Sequence, residues 1–328
     1  MKEIIVNENE AGQRLDKLLS KYLNKAPKSF LYKMLRKKNI TLNGKKASGS
    51  EQTVLGDQVK IFLADDTYAK FAEETAVVFS AKGTKEIPRL AKEDIIYEDH
   101  HILIVNKPAG ILSQKADAAD FSMNEMILQY LLESNAITRQ QLQTFKPSVC
   151  NRLDRNTTGL LIAGKTLPGL QTMSEVLRDR SLHKYYRCLV AGKMTKPRRI
   201  EGYLRKDVRS NQVTVLQEAA EDAKPIVTEY LPIQHTDAVT ELEVLLVTGR
   251  SHQIRAHLSS IGCPILGDTK YGSEKVNRLY RKKYQLTHQL LHSYRMEMPE
   301  IHGELSYLSG KTFTAPIPAI MNEIMKGN

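Results

Sequence analysis

Residues 151–166 read NRLDRNTTGLLIAGKT. The apolar run 160–163 has the length and composition of a buried strand. The polar turn before it holds one carboxylate, Asp154, between Arg152 and Arg155, followed by Thr157, Thr158 and Gly159. Two readings of Asp154 stay open at this level: an ion-paired structural turn, or a reactive group. An acid beside guanidiniums is favoured in its charged form. That suits a nucleophile or an electrostatic stabiliser and does not suit a general acid, which needs a raised pKa. Glycoside hydrolysis normally uses two carboxylates, and residues 146–166 contain only this one.

Working outward, the pattern predicts strands at 95–99 and 102–107, the second ended by Pro108-Ala109-Gly110. Helical texture follows over 122–134 and 167–179. Short strands are predicted at 185–190, 213–216, 227–231 and 242–247, and a helix over 252–261 after Thr248-Gly249-Arg250. Many strands with few intervening helices predict an α+β fold over 88–328, built on a mixed, largely antiparallel sheet. Residues 64–87 show no sustained period and read as a linker. Toward the N-terminus, Leu15, Leu18, Leu19 and Tyr22 recur at helical spacing, as do Leu31, Met34 and Leu35, with a breaker at 24–27. A short strand at 40–42 enters an Asn43-Gly44 hairpin turn, and another strand lies within 54–63. Residues 1–63 therefore read as a small domain of two helices and a hairpin.

The 328-residue chain is 41% hydrophobic and 26% charged, which fits folded globular structure rather than disorder. No apolar run reaches the length of a membrane span, and the start MKEIIVNENEAGQRLDKLL lacks a signal-peptide pattern. The three cysteines, Cys150, Cys188 and Cys263, are isolated. They argue against a disulfide framework and for a reducing cytoplasm. The formal net charge is +11. Residues 12–63 hold 12 of the lysines and arginines against three acids, and the remainder reads as nearly balanced. Bunching of Lys28, Lys33, Arg36, Lys37, Lys38, Lys45 and Lys46 points to a surface that tracks phosphates, hence to an RNA or DNA partner.

No GxGxxG follows a strand, no GxxxxGK[ST] occurs and no HExxH occurs, so no cofactor or metal is expected. His252 and His257, five residues apart on one helix, face different ways and do not form a metal pair. Two further blocks stand out. Residues 182–192, LHKYYRCLVAG, begin a strand with a tyrosine pair among positive charges. Residues 248–272, TGRSHQIRAHLSSIGCPILGDTKYG, open a helix with Arg250 and Arg255 near its first turns, where the helix dipole favours anions. Their role there is to meet a carboxylate or a phosphate.

Taken together and in this order, the three blocks resemble the pseudouridine synthases of the RluA type, which modify ribosomal or transfer RNA. The family signature is close to HRLDxxTSGLL, and the chain reads NRLDRNTTGLL. The likeness spans about residues 90–300. The N-terminal module is similar to the small RNA-binding domain first known from a ribosomal small-subunit protein. The resemblance implies isomerisation of uridine in RNA without cofactor or metal, on a nucleotide flipped out of its stack. It implies a catalytic Asp154 acting at C1′ or C2′ of the ribose, paired with Arg255, with Arg250 as the competing choice. Tyr186 would pack on the base, in preference to Tyr185, and assist proton removal from C5. Arg152 would fill the gap left by the flipped nucleotide, and Arg250 and Gln253 would contact substrate. Asn151 stands where the family has His, and Thr158 where it has Ser. The expected substrate is large-subunit (23S) ribosomal RNA, acted on by a cytoplasmic monomer. The same chemistry on transfer RNA, or a non-catalytic ribosome-assembly factor, are the alternatives.

Overall fold

The computed structural model describes residues 1–72, 88–117, 120–207 and 212–327. The first core forms where apolar faces meet. Helix α1 (Leu15–Tyr22) buries Leu15, Leu18, Leu19 and Tyr22, and α2 (Lys28–Arg36) buries Leu31, Met34 and Leu35. They cover a sheet of β1 (Lys2–Ile5), β2 (Ile40–Leu42), β3 (Lys45–Lys46) and β4 (Gln58–Ile61), in the order β1-β4-β2-β3. Asn43 and Gly44 both have positive φ, 50° and 71°, which the two-residue hairpin turn needs. Strand β1 has no counterpart in the sequence reading, because Ile4 is its one buried residue and leaves no alternation to detect.

The segment read as a linker begins with a helix instead, α3 (Asp65–Phe71). Tyr68 and Phe71 pack on the first core, and the Phe71 ring lies 4.4 Å from that of Phe30. Seven residues are too few to establish a helical period. Residues 73–87, the rest of that segment, lie outside the described residues.

The larger sheet contains β5 (Ile95–Glu98), β6 (Ile102–Lys107), β7 (Ser148–Val149), β8 (Thr158–Gly164), β9 (His183–Ala191), β10 (Arg198–Asp207), β11 (Gln212–Leu216), β12 (Ala223–His235), β13 (Val239–Leu246), β14 (Leu291–Glu297) and β15 (Thr312–Thr314). Its order is β11-β10-β12-β13-β9-β14-β8-β6-β5, with β15 on β14 and β7 on β8. Among the described strands, β14 and β8 run parallel and every other pair is antiparallel. The sheet is thus mixed and largely antiparallel.

Helices α4 (Met123–Glu133) and α6 (Gln253–Ser260) cover one face, and α5 (Leu167–Arg178) the other. Strands β6 and β8 are buried on both faces, which explains their continuous apolar runs. Helices α7 (Glu274–Tyr284) and α8 (Ala319–Lys326) share a further core with Leu189 and Leu290. Gly159 has φ +105°, and a Cβ there would lie 2.1 Å from the Ser293 carbonyl oxygen. Only glycine lets β8 approach β14 there, immediately after the Asp154 turn. The two domains touch where the Leu167 amide donates to Asn9 Oδ1 at 2.7 Å and His100 meets Glu8 at 2.9 Å. Among the described residues, no helix is long and apolar enough to cross a membrane.

Candidate active site

Asp154 sits in the connection from β7 to β8, and its neighbours on both sides are pinned. The Ser113 hydroxyl accepts from the Leu153 amide at 2.9 Å and donates to the Leu153 carbonyl at 3.0 Å. On the other side, Lys107 Nζ donates to the Arg155 carbonyl at 2.9 Å. Its other two protons go to the carbonyls of Pro108 at 2.8 Å and Ile111 at 2.6 Å. Burial pushes the Lys107 ammonium down to about 7, with the Asp154 charge working the other way. The Thr157 amide closes the turn on the Asp154 carbonyl at 3.0 Å. Asn151 uses both ends of its amide on β8: Oδ1 accepts from the Ile162 amide at 2.8 Å, and Nδ2 donates to the Leu160 carbonyl at 3.3 Å. Thr158 pairs its hydroxyl with His292 Nδ1 at 2.8 Å.

The carboxylate so placed meets an arginine from far along the chain. Arg255 Nη1 donates to Asp154 Oδ2 at 2.7 Å. The rest of that guanidinium is forked by Asp268, through Nε at 2.7 Å and Nη2 at 2.9 Å. Arg255 is 6% exposed and Asp268 fully buried. Burial would raise the Asp268 carboxyl, but the Arg255 fork and the amides of Tyr271 and Lys270 hold it below its ordinary value. Burial would likewise lower Arg255, but the bonds and charges of Asp268 and Asp154 raise it. Bidentate pairing fixes the guanidinium plane, so Nη1 has one direction in which to point. The second Asp154 oxygen, Oδ1, has His252 Nε2 at 3.8 Å. His252 adopts a left-handed φ of 55° just before α6, and its Nδ1 pairs with the Tyr271 hydroxyl at 2.8 Å. Burial holds the His252 imidazole below its ordinary value, the Asp154 charge opposing.

These groups open into a cleft of about 750 Å³ on the α4/α6 side of the sheet. Tyr186, 6% exposed, lines it from β9. Burial pushes its phenol up to about 12, with a further push from Asp154 and an opposing contribution from Ser293. Tyr185 points to the other face, where the Arg295 guanidinium lies 3.6 Å from its ring centroid. Arg152, Arg155 and Arg250 also line the cleft. Arg152 and Arg155 are the arginines adjacent to Asp154 in the sequence, and Arg255 is the partner that the family resemblance implies. The two adjacent arginines are exposed and leave the carboxylate to Arg255, because consecutive side chains in an extended loop diverge. Among the described residues, Arg250 Nε is buried without a protein partner. Gln253 borders the cleft, but its amide is occupied. Oε1 accepts from Thr248 Oγ1 at 2.8 Å and the Arg250 amide at 3.1 Å, and Nε2 donates to the Val227 carbonyl at 2.9 Å and Thr228 Oγ1 at 3.0 Å. The seven lysines and arginines singled out on the small domain are all exposed and stand apart from this cleft's lining. Lys107, Ser113, His252, Tyr271 and Asp268 escaped the sequence reading as members of the site. For the last three, the third block itself was the available signal.

An RNA pseudouridylate synthase family model matches residues 101–260, which contain Asp154, Tyr186 and Arg255. The ribosomal large subunit pseudouridine synthase C of Rickettsia bellii is 30% identical over 291 residues, covering 87% of this chain and 90% of the relative. The ribosomal large subunit pseudouridine synthase D of Yersinia pestis is 32% identical over 270 residues, covering 81% and 75%. The chain belongs to the RNA pseudouridylate synthase family. It is an isomerase of the pseudouridine synthase class, with RNA as its partner. The fold agrees: the human RNA pseudouridylate synthase domain containing 4 superposes with a TM-score of 0.56 at 20% identity, over 71% of this chain and 92% of that one.

Proposed function

We propose that this pseudouridine synthase acts on large-subunit ribosomal RNA in the cytoplasm, with Asp154 as the group that acts on the ribose of a flipped uridine. The names of the Rickettsia and Yersinia relatives support the substrate. The ion pair between Asp154 and Arg255, made across 101 residues of chain at the base of the cleft, carries the assignment of the site.

The reaction breaks the N1–C1′ bond, turns the uracil and joins C5 to C1′. The proton lost from C5 is balanced by one gained at N1, so nothing is consumed. Attack at C1′ and removal of the C2′ proton both call for a carboxylate oxygen free of protein donors. Arg255 occupies Oδ2, which leaves Oδ1 for the sugar. A glycosidic bond inside a stem is out of reach, so the nucleotide must leave its stack. Tyr186 supplies an apolar ring for the extruded base. With its phenol near 12 it stays neutral at physiological pH and packs rather than acting as a resting base. Arg152, exposed at the rim, fills the vacated position in the RNA, and Arg250 meets a phosphate. Gln253 holds the Arg250 loop instead of touching substrate. The small domain, extended to residue 72 by α3, adds phosphate contacts through Lys28, Lys33, Arg36, Lys37, Lys38, Lys45 and Lys46.

Asp154→Asn should abolish pseudouridine formation in the purified protein while leaving RNA affinity within about twofold. Full turnover by this variant would sink the mechanism. A pseudouridine map of total RNA from a strain lacking the protein tests the substrate: a site lost from large-subunit ribosomal RNA is expected, and loss confined to transfer RNA would overturn it.

A further inference from the structure

Helix α7 carries a charge pattern that packing does not explain. Between residues 270 and 283 the chain has six lysines and arginines and one acid, Glu274. Asn277 and Tyr280 face inward, leaving Lys275, Arg278, Arg281 and Lys282 exposed on the remaining surface. Among the described residues, the side chains of these four make no ion pair or hydrogen bond. Arg278 has Lys275 three residues before it, Arg281 three after and Lys282 four after. At those spacings like charges repel and destabilise a helix. The last-turn cations suit the negative end of the helix dipole, but Lys275 in the first turn opposes the positive end. Helix α5, by contrast, sets Glu175 3.9 Å from Arg178.

The helix is also attached directly to the catalytic array. Asn277 Nδ2 donates to the Asp268 carbonyl at 2.8 Å, and Asn277 Oδ1 accepts from the Gly267 amide at 2.9 Å. Thr269 and Lys270, just before α7, line the cleft. The helix that carries the basic face is therefore fixed to the cleft wall that holds Arg255. From Lys275 to Lys282 it runs about 10 Å at 1.5 Å per residue. A membrane-surface helix would turn an apolar face outward, whereas here Leu279, 63% exposed, is the large hydrophobic side chain among the cations.

We propose that the exposed face of α7 is a second RNA-docking surface, gripping the phosphate backbone of the substrate beyond the flipped nucleotide. It rests on the reading of the cleft as an RNA uridine site. It is separate from the small domain's basic surface, and it sits on the catalytic domain itself.

The test uses the full chain with Lys275, Arg278, Arg281 and Lys282 all changed to glutamine, a residue of similar helix propensity. The substrate is a ribosomal RNA fragment with paired flanks around the target uridine. KM should rise by about tenfold or more at low salt, with kcat at saturating RNA unchanged. The slope of log affinity against log salt should flatten by about 3, at roughly 0.7–0.9 for each phosphate contact removed. A short hairpin ending at the target loop should bind both proteins alike. A companion Lys275→Arg, Lys282→Arg variant should behave as wild type. Unchanged KM and salt slope on the flanked RNA would overturn the proposal. So would loss of binding to vesicles rich in anionic lipid with RNA affinity untouched, which would make α7 a membrane contact. If wild type itself formed no pseudouridine in any RNA, the reading of the cleft would fail; wild-type turnover with an indifferent variant sinks α7 alone.

Discussion

Lys37, Lys38, Lys45 and Lys46 stand exposed on the small domain without an ion pair among the described residues, whereas Lys107 and Arg255 lie buried beneath the cleft with their donors occupied. The same two residue types do different work in the two places. On the surface a cation is screened by salt, and any one of a group contributes little. In the interior a cation is worth its full geometry, and losing its partner leaves a charge stranded in low dielectric. RNA affinity in this protein should therefore be graded and salt-dependent, and the buried Asp154–Arg255–Asp268 array all-or-none.

The contrast is most exposed to failure at Asp268. Asp268→Asn removes the charge that forks Arg255. We expect a loss of about 3–5 kcal/mol in urea unfolding at pH 7 and a fall in turnover of at least about 100-fold, with KM changing little. The folded carboxyl lies below its ordinary value, so its stabilisation is present above the unfolded value of about 3.9 and fades as pH falls through the lower folded value. The gap between wild type and variant should close in acid. A variant as stable as wild type at neutral pH would show that the fork is ornamental.

Lys107 comes next. Its folded value of about 7 lies below the unfolded lysine's, about 10.4. Between the two the unfolded chain binds more protons, so stability gains with rising pH over that window. Unfolding of wild type and Lys107→Met, compared at several pH values from about 6 to 10, should show wild type gaining on the variant as pH rises. A pH-independent difference would mean that the three carbonyls hold the ammonium at its ordinary value. The smallest effect belongs to the surface. Changing Lys37, Lys38, Lys45 and Lys46 together to glutamine should weaken RNA binding about tenfold in low salt, hardly at all in high salt, and leave unfolding within about 0.5 kcal/mol of wild type. Affinity that ignores salt in both proteins would remove the small domain from RNA binding.

What the sequence disclosed follows the range of the interactions. Asn43-Gly44 and the faces of α1 and α2 are local signals, and the hairpin and helices lie where they point. Strand alternation separates Tyr186 from Tyr185 onto opposite faces. Strand β10, RRIEGYLRKD, went unread because its charges mask an exposed strand's alternation. Adjacency alone left Arg152 and Arg155 open as partners of Asp154, and only the distant third block pointed to Arg255, because this pairing is made by tertiary approach. Nothing local marks Lys107, at the end of an apolar strand, as a buried clamp. The cations of α7 vanished into a sum taken over most of the chain. Asn151 gains a plain role, since its amide pairs with β8 at both ends.

Strand β14 lies between β9 and β8 in the sheet, and this orders events in time. Tyr186 belongs to β9 and Asp154 to the turn before β8, so neither has a fixed position relative to the other until residues 291–297 have slotted between them. On a ribosome the aspartate emerges more than a hundred residues before the strand that completes its surroundings. Assembly of the cleft therefore waits on a strand near the far end of the chain, and turnover is expected to return only once this long-range pairing has formed.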